Sequence, residues 1–125
     1  MTDPDGLEKG RRVLQQLRRG GEASPSAKLM AEMFPDFSRM TEEHLFGEVW
    51  SRPGLALRDR SLVTMATLVV LGRSEELKGH IGYALNIGIS REEILEMIMH
   101  LAHYAGWPFG VGALRVAKEG FSASA

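Results

Sequence analysis

Between Ser74 and Ile87 the chain places Leu77, Ile81, Ala84 and Leu85 within a ~100° arc at 100° per residue, and Gly88 follows at the position where helices end in a left-handed residue. In a strand Ala84 would fall on the face opposite Leu77, Ile81 and Leu85, whereas a helix gathers all four on one side. The next segment repeats the signal. Ser90 and Glu93 have capping-box spacing, and Ile94, Leu95, Ile98, Leu101, Ala102 and Ala105 then form an apolar face that stops at Gly106. Pro108 suits the first turn of a last helix to about Glu119, followed by a loose FSASA tail.

Upstream, residues from about Leu7 to Arg19 carry Leu7, Val13, Leu14 and Leu17 at helical spacing, and Gly20 and Gly21 stop the helix. Glu22 to Ser26, with Pro25, reads as a loop. Ala27 to Trp50 reads as two short helices broken at Pro35, with Met30, Met33 and Met40 filling core, and Ser51 to Gly54 is a turn. Leu62 to Leu71 is continuously apolar, so periodicity alone fits a buried strand or a buried helix; its length and its Met and Ala favour helix. No segment alternates cleanly. The expectation is an all-α fold, a single-domain bundle of about six helices over residues 1–125, with residues 1–25 an N-terminal helix and loop.

Composition narrows the function. Fifteen Lys plus Arg against sixteen Asp plus Glu leave a net charge of -1, which argues against a protein that neutralises phosphates, so no nucleic-acid partner is expected. The absence of cysteine excludes disulfides, thiolate metal sites and thiol nucleophiles. The charged N-terminus lacks a signal-peptide apolar core. The ten residues Leu62 to Leu71 fall well short of the ~18 needed to span a bilayer. No membrane partner and a cytoplasmic location are expected.

On the helix from Arg73 onward, Glu76, His80, Tyr83 and Ile87 fall near one line bordering the buried face, where a group can be partly desolvated and still reached. A glutamate one turn before a histidine can fix its tautomer and raise its pKa, so Glu76 and His80 are either a proton-transfer pair or an ordinary i,i+4 surface pair. Arg52, Arg58, Arg60 and Arg73 sit near the turns and helix ends around this stripe. They suit an anionic small substrate, although Asp59, Glu75 and Glu76 could equally pair with them. Glu96, His100 and His103 have a spacing that a metal could use, but they lie opposite their helix's apolar face. A solvated or intersubunit polar face is expected there, with no metal, and Met97, Leu101 and Tyr104 border it.

The run Gly47-Glu48-Val49-Trp50-Ser51-Arg52-Pro53-Gly54-Leu55, with Arg60-Ser61-Leu62, Glu75-Glu76-Leu77-Lys78-Gly79-His80, Asn86-Ile87-Gly88, Glu92-Glu93-Ile94-Leu95-Glu96 and Tyr104-Ala105-Gly106-Trp107-Pro108, resembles the carboxymuconolactone decarboxylase family over about residues 44–120. It looks closest to the decarboxylase branch of protocatechuate degradation, the beta-ketoadipate route of aromatic catabolism. That resemblance implies an alkylhydroperoxidase-D-like helical fold, trimers or hexamers, and no cofactor. Superfamily members that act as peroxidases use C-x-x-C-x-x-x-H; here Arg73 and Glu76 stand at the cysteine positions and His80 at the histidine, so disulfide cycling has no sulfur to work with.

The resemblance further implies decarboxylation of 4-carboxymuconolactone or a related lactone acid. In that substrate the carboxylate leaves a carbon conjugated with the lactone carbonyl, so the electrons spread into an extended enolate. The protein must stabilise the developing charge and protonate carbon. His80 oriented by Glu76 is the expected acid, with Arg52, Arg58, Arg60 or Arg73 holding anionic oxygens. The departing carboxylate is expected to face Trp50, Trp107 or aliphatic surface, and Tyr83 to line the site. Trp107 and Phe109 stand where that branch tends to carry small residues, which implies a reshaped pocket. Two alternatives follow: another ring-modifying enzyme (isomerase, cyclase or decarboxylase) acting on a quinone or polyketide-like substrate, or a non-catalytic ligand-binding oligomer.

Overall fold

The computed structural model describes residues 4–123, which are helical with no strand among them. The elements are α1 (Pro4–Arg18), α2 (Pro25–Met33), α3 (Pro35–Met40), a π-helix π1 (Thr41–Trp50), α4 (Leu57–Leu71), α5 (Ser74–Asn86), α6 (Arg91–Ala105) and α7 (Trp107–Ala123). The chain divides into two compact units, residues up to Leu57 and residues from Arg58 onward.

In the first unit α1 lies along π1, and glycine sets their separation. A Cβ on Gly10 would stand 1.8 Å from the Glu42 carbonyl oxygen, and one on Gly47 would stand 1.9 Å from that of Gly6. Only hydrogen fits between the backbones there. Val13, Leu14 and Leu17 of α1 and Phe46 and Trp50 of π1 are buried. Ser24 caps α2 by accepting from the Ala27 amide at 3.1 Å, and Pro25 takes the first helical position, where its missing N–H costs nothing. The expected loop therefore ends at Ser24. Residues 27–50 form three helical pieces rather than two: Pro35 divides α2 from α3, and the backbone widens at Thr41. The expected core role of the methionines also fails. Neither α2 nor α3 buries a residue, and Met33 and Met40 are 73% and 62% exposed.

The second unit packs four helices around one core: Met65 and Val69 from α4, Leu77, Ile81 and Ala84 from α5, Ile94 and Ile98 from α6, Ala113 and Ala117 from α7, with Ile89 between α5 and α6. Leu62 to Leu71 is helical, as its length suggested. Both ends of α5 are fixed by Schellman turns. The amides of Gly72 and Arg73 donate to Val69 and Leu68, closing α4; those of Gly88 and Ile89 donate to Leu85 and Ala84, closing α5. Gly72 and Gly88 have φ of 69° and 93°, which side chains rarely adopt. The Ser90–Glu93 capping box is complete. Small residues Gly110, Ala113, Ala117 and Gly120 line one side of α7 and let it approach closely: a Cβ on Gly120 would stand 2.9 Å from Ile81 Cγ2, and one on Gly110 2.7 Å from Ala102 Cβ. Arg91 of α6 donates to the Phe121 carbonyl at 3.2 Å and sits 5.4 Å over its ring, so α7 returns antiparallel to α6. That contact carries α7 past Glu119, so Phe121 to Ala123 are helical rather than loose; Ser124 and Ala125 of the expected tail lie outside the described residues. Among the described residues no helix is long and apolar enough to cross a membrane.

Gly47→Ala should destabilise the protein by about 2 kcal/mol or more through backbone overpacking. Gly112→Ala, inside α7 and facing open space, should stabilise it by about 0.5–1 kcal/mol. Urea unfolding of the two variants checks both signs.

Candidate active site

Because Leu77, Ile81 and Ala84 are locked inward, the neighbouring positions Glu76, His80 and Tyr83 fall half-buried at the edge of the core. His80 and Tyr83 meet edge to face with ring centroids 5.3 Å apart. Glu76 is engaged on its other side: its Oε1 accepts from Arg73 Nε at 3.0 Å and Nη2 at 2.6 Å. The Schellman turn that ends α4 leaves Arg73 as the residue preceding α5, one turn before Glu76, which is what brings the guanidinium to the carboxylate.

These contacts set the protonation of the pair. The Arg73 hydrogen bond holds the Glu76 carboxyl below its ordinary range. Burial pushes the His80 imidazole below its ordinary value, and the opposing charge of Glu76 recovers only part of that shift. Glu76 thus acts on His80 in the expected direction, but desolvation outweighs it. In the protein alone, His80 favours its neutral form at neutral pH.

The arginines expected to hold anions are distributed unevenly. Arg58 donates to Glu93, linking the start of α4 to the first turn of α6, and that same Glu93 accepts from the Ser90 amide. Arg58 and Arg73 therefore already hold carboxylates, and a substrate anion must compete for them. Arg60 is half-buried in the first turn of α4. Trp50 and Arg52 belong to the first unit, where Trp50 is buried with its ring 5.5 Å from that of Phe46 and Arg52 is exposed in the turn after π1. Trp107 is 62% exposed and meets His103 edge to face at 5.3 Å.

The face carrying Glu96, His100 and His103 borders a shallow groove of about 630 Å³ that also includes Leu62, Glu92, Glu93, Met97 and Met99. Its three carboxylates make it unsuitable for an anion. Among the described residues no three His, Cys, Asp or Glu side chains are grouped to hold a metal ion. Sequence reasoning missed Glu93 as the partner of Arg58, since 35 residues separate them and no helical period links them. It gave no role to Ser61, which is fully buried one turn before Met65 with its hydroxyl hydrogen-bonded to no group among the described residues.

Residues 35–119 match the carboxymuconolactone decarboxylase family. The chain is 36% identical over 121 residues to the 4-carboxymuconolactone decarboxylase of Acinetobacter baylyi, covering 97% of this chain and 90% of that protein. It is also 36% identical over 77 residues to the nitrosuccinic acid decarboxylase of Metarhizium robertsii, covering 62% and 54% of the two chains. An uncharacterized 15.0 kDa protein of Paracoccus denitrificans is 29% identical over 94 residues, covering 74% and 70%. The chain belongs to the carboxymuconolactone decarboxylase family. It is a decarboxylase of that family, and one without the cysteines that a dithiol peroxidase requires.

His80 also gives a stability signature. Its imidazole titrates lower in the folded than in the unfolded chain, so between the folded value and about 6.5 the unfolded state binds the extra proton and stability falls as pH falls. Below the folded value the loss is complete and levels off. Thermal melts from neutral pH downward should show a steeper acid-side loss for the wild type than for His80→Gln; parallel curves would remove His80 as the cause.

Proposed function

We propose that this protein decarboxylates 4-carboxymuconolactone or a closely related lactone acid without a cofactor, with His80 delivering the proton to carbon. The observation that carries the reading is the Arg73–Glu76–His80 arrangement at the start of α5, a half-buried imidazole one turn after a carboxylate that is itself clamped by the guanidinium of the residue preceding the helix. The near-full-length likeness to a 4-carboxymuconolactone decarboxylase supports the substrate class.

The chemistry follows from the substrate's own electron sink. As CO2 leaves, charge moves through the ring alkene to the lactone carbonyl oxygen, and the protein stabilises it there. Arg60 and Arg73 are assigned to that oxygen or to the carboxylate that stays. A guanidinium on the departing carboxylate would favour the ground state and slow the reaction, because only contacts stronger in the transition state accelerate it. The departing group is placed against apolar surface, where losing its charge is favoured.

A His80 that is mostly neutral in the free protein can still be the acid. A substrate bearing two carboxylates brings negative charge within a few ångströms, and an adjacent opposite charge raises an imidazole's pKa by about 1–3 units. The proton then goes from Nδ1 or Nε2 to the enolate carbon, and the neutral ring is recharged from solvent. Two results are expected. His80→Ala should lose on the order of 10²-fold or more in kcat while remaining folded, and near-normal turnover would sink the assignment. The alkaline limb of kcat, which reports the substrate complex, should lie at higher pH than that of kcat/KM, which reports the free enzyme.

Self-association belongs to the same reading. Leu29, Met33, Phe34, Phe37 and Met40 leave α2 and α3 with a surface more apolar than a solitary chain usually carries, and copies of this chain assembled as a trimer or hexamer would cover it. Light scattering on the eluted protein should give a mass at least three times that of the chain.

A further inference from the structure

Helix α1 carries a cationic face that neither the fold nor the decarboxylase reading uses. Arg11, Arg12, Gln15 and Arg18 fall within a ~120° arc, on the side away from buried Val13, Leu14 and Leu17, and Arg19 follows directly. All are exposed except half-buried Arg18. Two of the four arginines have a carboxylate at hand: Arg12 donates to Glu8 at 2.9 Å in a well-exposed pair, where the attraction is weak, and Arg11 stands 3.5 Å from Glu42. Arg18 and Arg19 enter no ion pair among the described residues. The Arg18 Nε is out of water without a hydrogen bond, so part of the desolvation of that guanidinium precedes any partner.

The second unit presents the opposite surface. In the groove along α6, Glu93 is held by Arg58, whereas Glu92 and Glu96 are exposed and enter no ion pair among the described residues. Leu62, Met97 and Met99 give the groove apolar ground. His100 and His103 carry it on to Tyr104 and Trp107, whose rings lie 5.2 Å and 5.3 Å from theirs and which are 83% and 62% exposed. Free carboxylates followed by exposed aromatic rings are what a guanidinium favours, through paired hydrogen bonds to the first and cation–π contact with the second, while its stem covers apolar surface.

From these two faces we infer that α1 of one copy docks in the α6 groove of a second copy of this chain. The charges are complementary and the spacing agrees. The pairs Arg11-Arg12 and Arg18-Arg19 are seven residues apart, ~10 Å along a helix, and Glu96 and Tyr104 are eight apart, ~12 Å. One arginine pair reaches Glu92 and Glu96 while the other lies over Tyr104 and Trp107. Because the two surfaces differ, the contact is heterologous: each copy offers α1 to one neighbour and its groove to another. It shares with the self-association proposed above only the identity of the partner. The apolar residues of α2 and α3 take no part in it, and neither does His80.

Sodium chloride separates this contact from one made by α2 and α3. At a fixed micromolar concentration of wild type, the mean mass by light scattering should fall as salt rises from about 50 mM to about 500 mM, because exposed charges are screened over that range, whereas apolar contact alone would hold. An assembled mass that salt does not change would overturn the α1 contact and leave the apolar association standing; a monomer at about 50 mM salt would overturn both. Arg12→Glu with Arg19→Glu, and separately Glu92→Lys with Glu96→Lys, should each abolish the salt-sensitive step with far-UV circular dichroism unchanged. An equimolar mixture of the two proteins should regain it, since an acidic α1 then meets a basic groove and a basic α1 an acidic one. A mixture that stays at the lower mass would overturn the pairing. Should either reversed protein unfold, Glu92→Gln with Glu96→Gln, which removes charge without reversing it, decides: its dissociation constant at low salt should be about tenfold weaker than that of the wild type, and an unchanged value would overturn the contact. None of these readouts involves turnover, so they stand or fall apart from the decarboxylation assay.

Discussion

The position of Ile81 against Gly120 fixes the rotation of α5, and the candidate chemistry depends on that rotation. Turning the helix by one residue, about 100°, would carry His80 fully into the core or fully into solvent. Either outcome would remove the half-buried state that shifts its pKa. The contact is held by complementary features: fully buried Ile81 needs a partner without a side chain, Gly120 supplies one, and the glycine-closed turns at Gly72 and Gly88 fix where α5 begins and ends. Packing, backbone conformation and protonation are thus linked through one helix.

A consequence for catalysis is that the electrostatics of the site are shared between competing partners. Arg73 holds Glu76, Glu76 acts on His80 by its charge, and burial opposes that action. An isolated imidazole beside a glutamate would titrate upward. The arginine draws the carboxylate to its own side and the core removes water, so the net direction reverses. A substrate that supplies its own negative charge can reverse it again, which would tie the charge of His80, the proposed acid, to occupancy of the site.

How much of this was legible in the sequence depended on the range of the interaction. The 3.6-residue stripes of α5 and α6, the Ser90–Glu93 box and the glycine stops are local, and they appeared in the fold at almost the expected residues. The Glu76 and His80 alignment was also readable, because two residues on one helix keep their spacing in any fold, and Arg73 stands just before that helix. What could not be read was which neighbour each group chooses: Glu76 faces Arg73, and Arg58 reaches across 35 residues to Glu93. The misread stretch from Pro25 to Trp50 has a physical cause as well. Its apolar residues suggested burial, yet α2 and α3 leave them outside, and the π-helical widening from Thr41 follows no simple apolar period. The likeness to known decarboxylases, carried by motifs such as Trp50-Ser51-Arg52-Pro53-Gly54, supplied the family that periodicity could not.

The outward-facing α2 and α3 also affect how the molecule breathes. Neither helix places a side chain in the core, so opening them exposes little additional apolar area, and their backbone amides exchange with water through local opening that leaves the rest folded. The amides of Ile81, Ile94 and Ala117 lie at fully buried positions and wait for a much larger rearrangement. Before assembly the chain therefore combines a slowly exchanging framework that carries the proposed acid with a quickly exchanging margin, and burial of that margin between copies would slow its exchange.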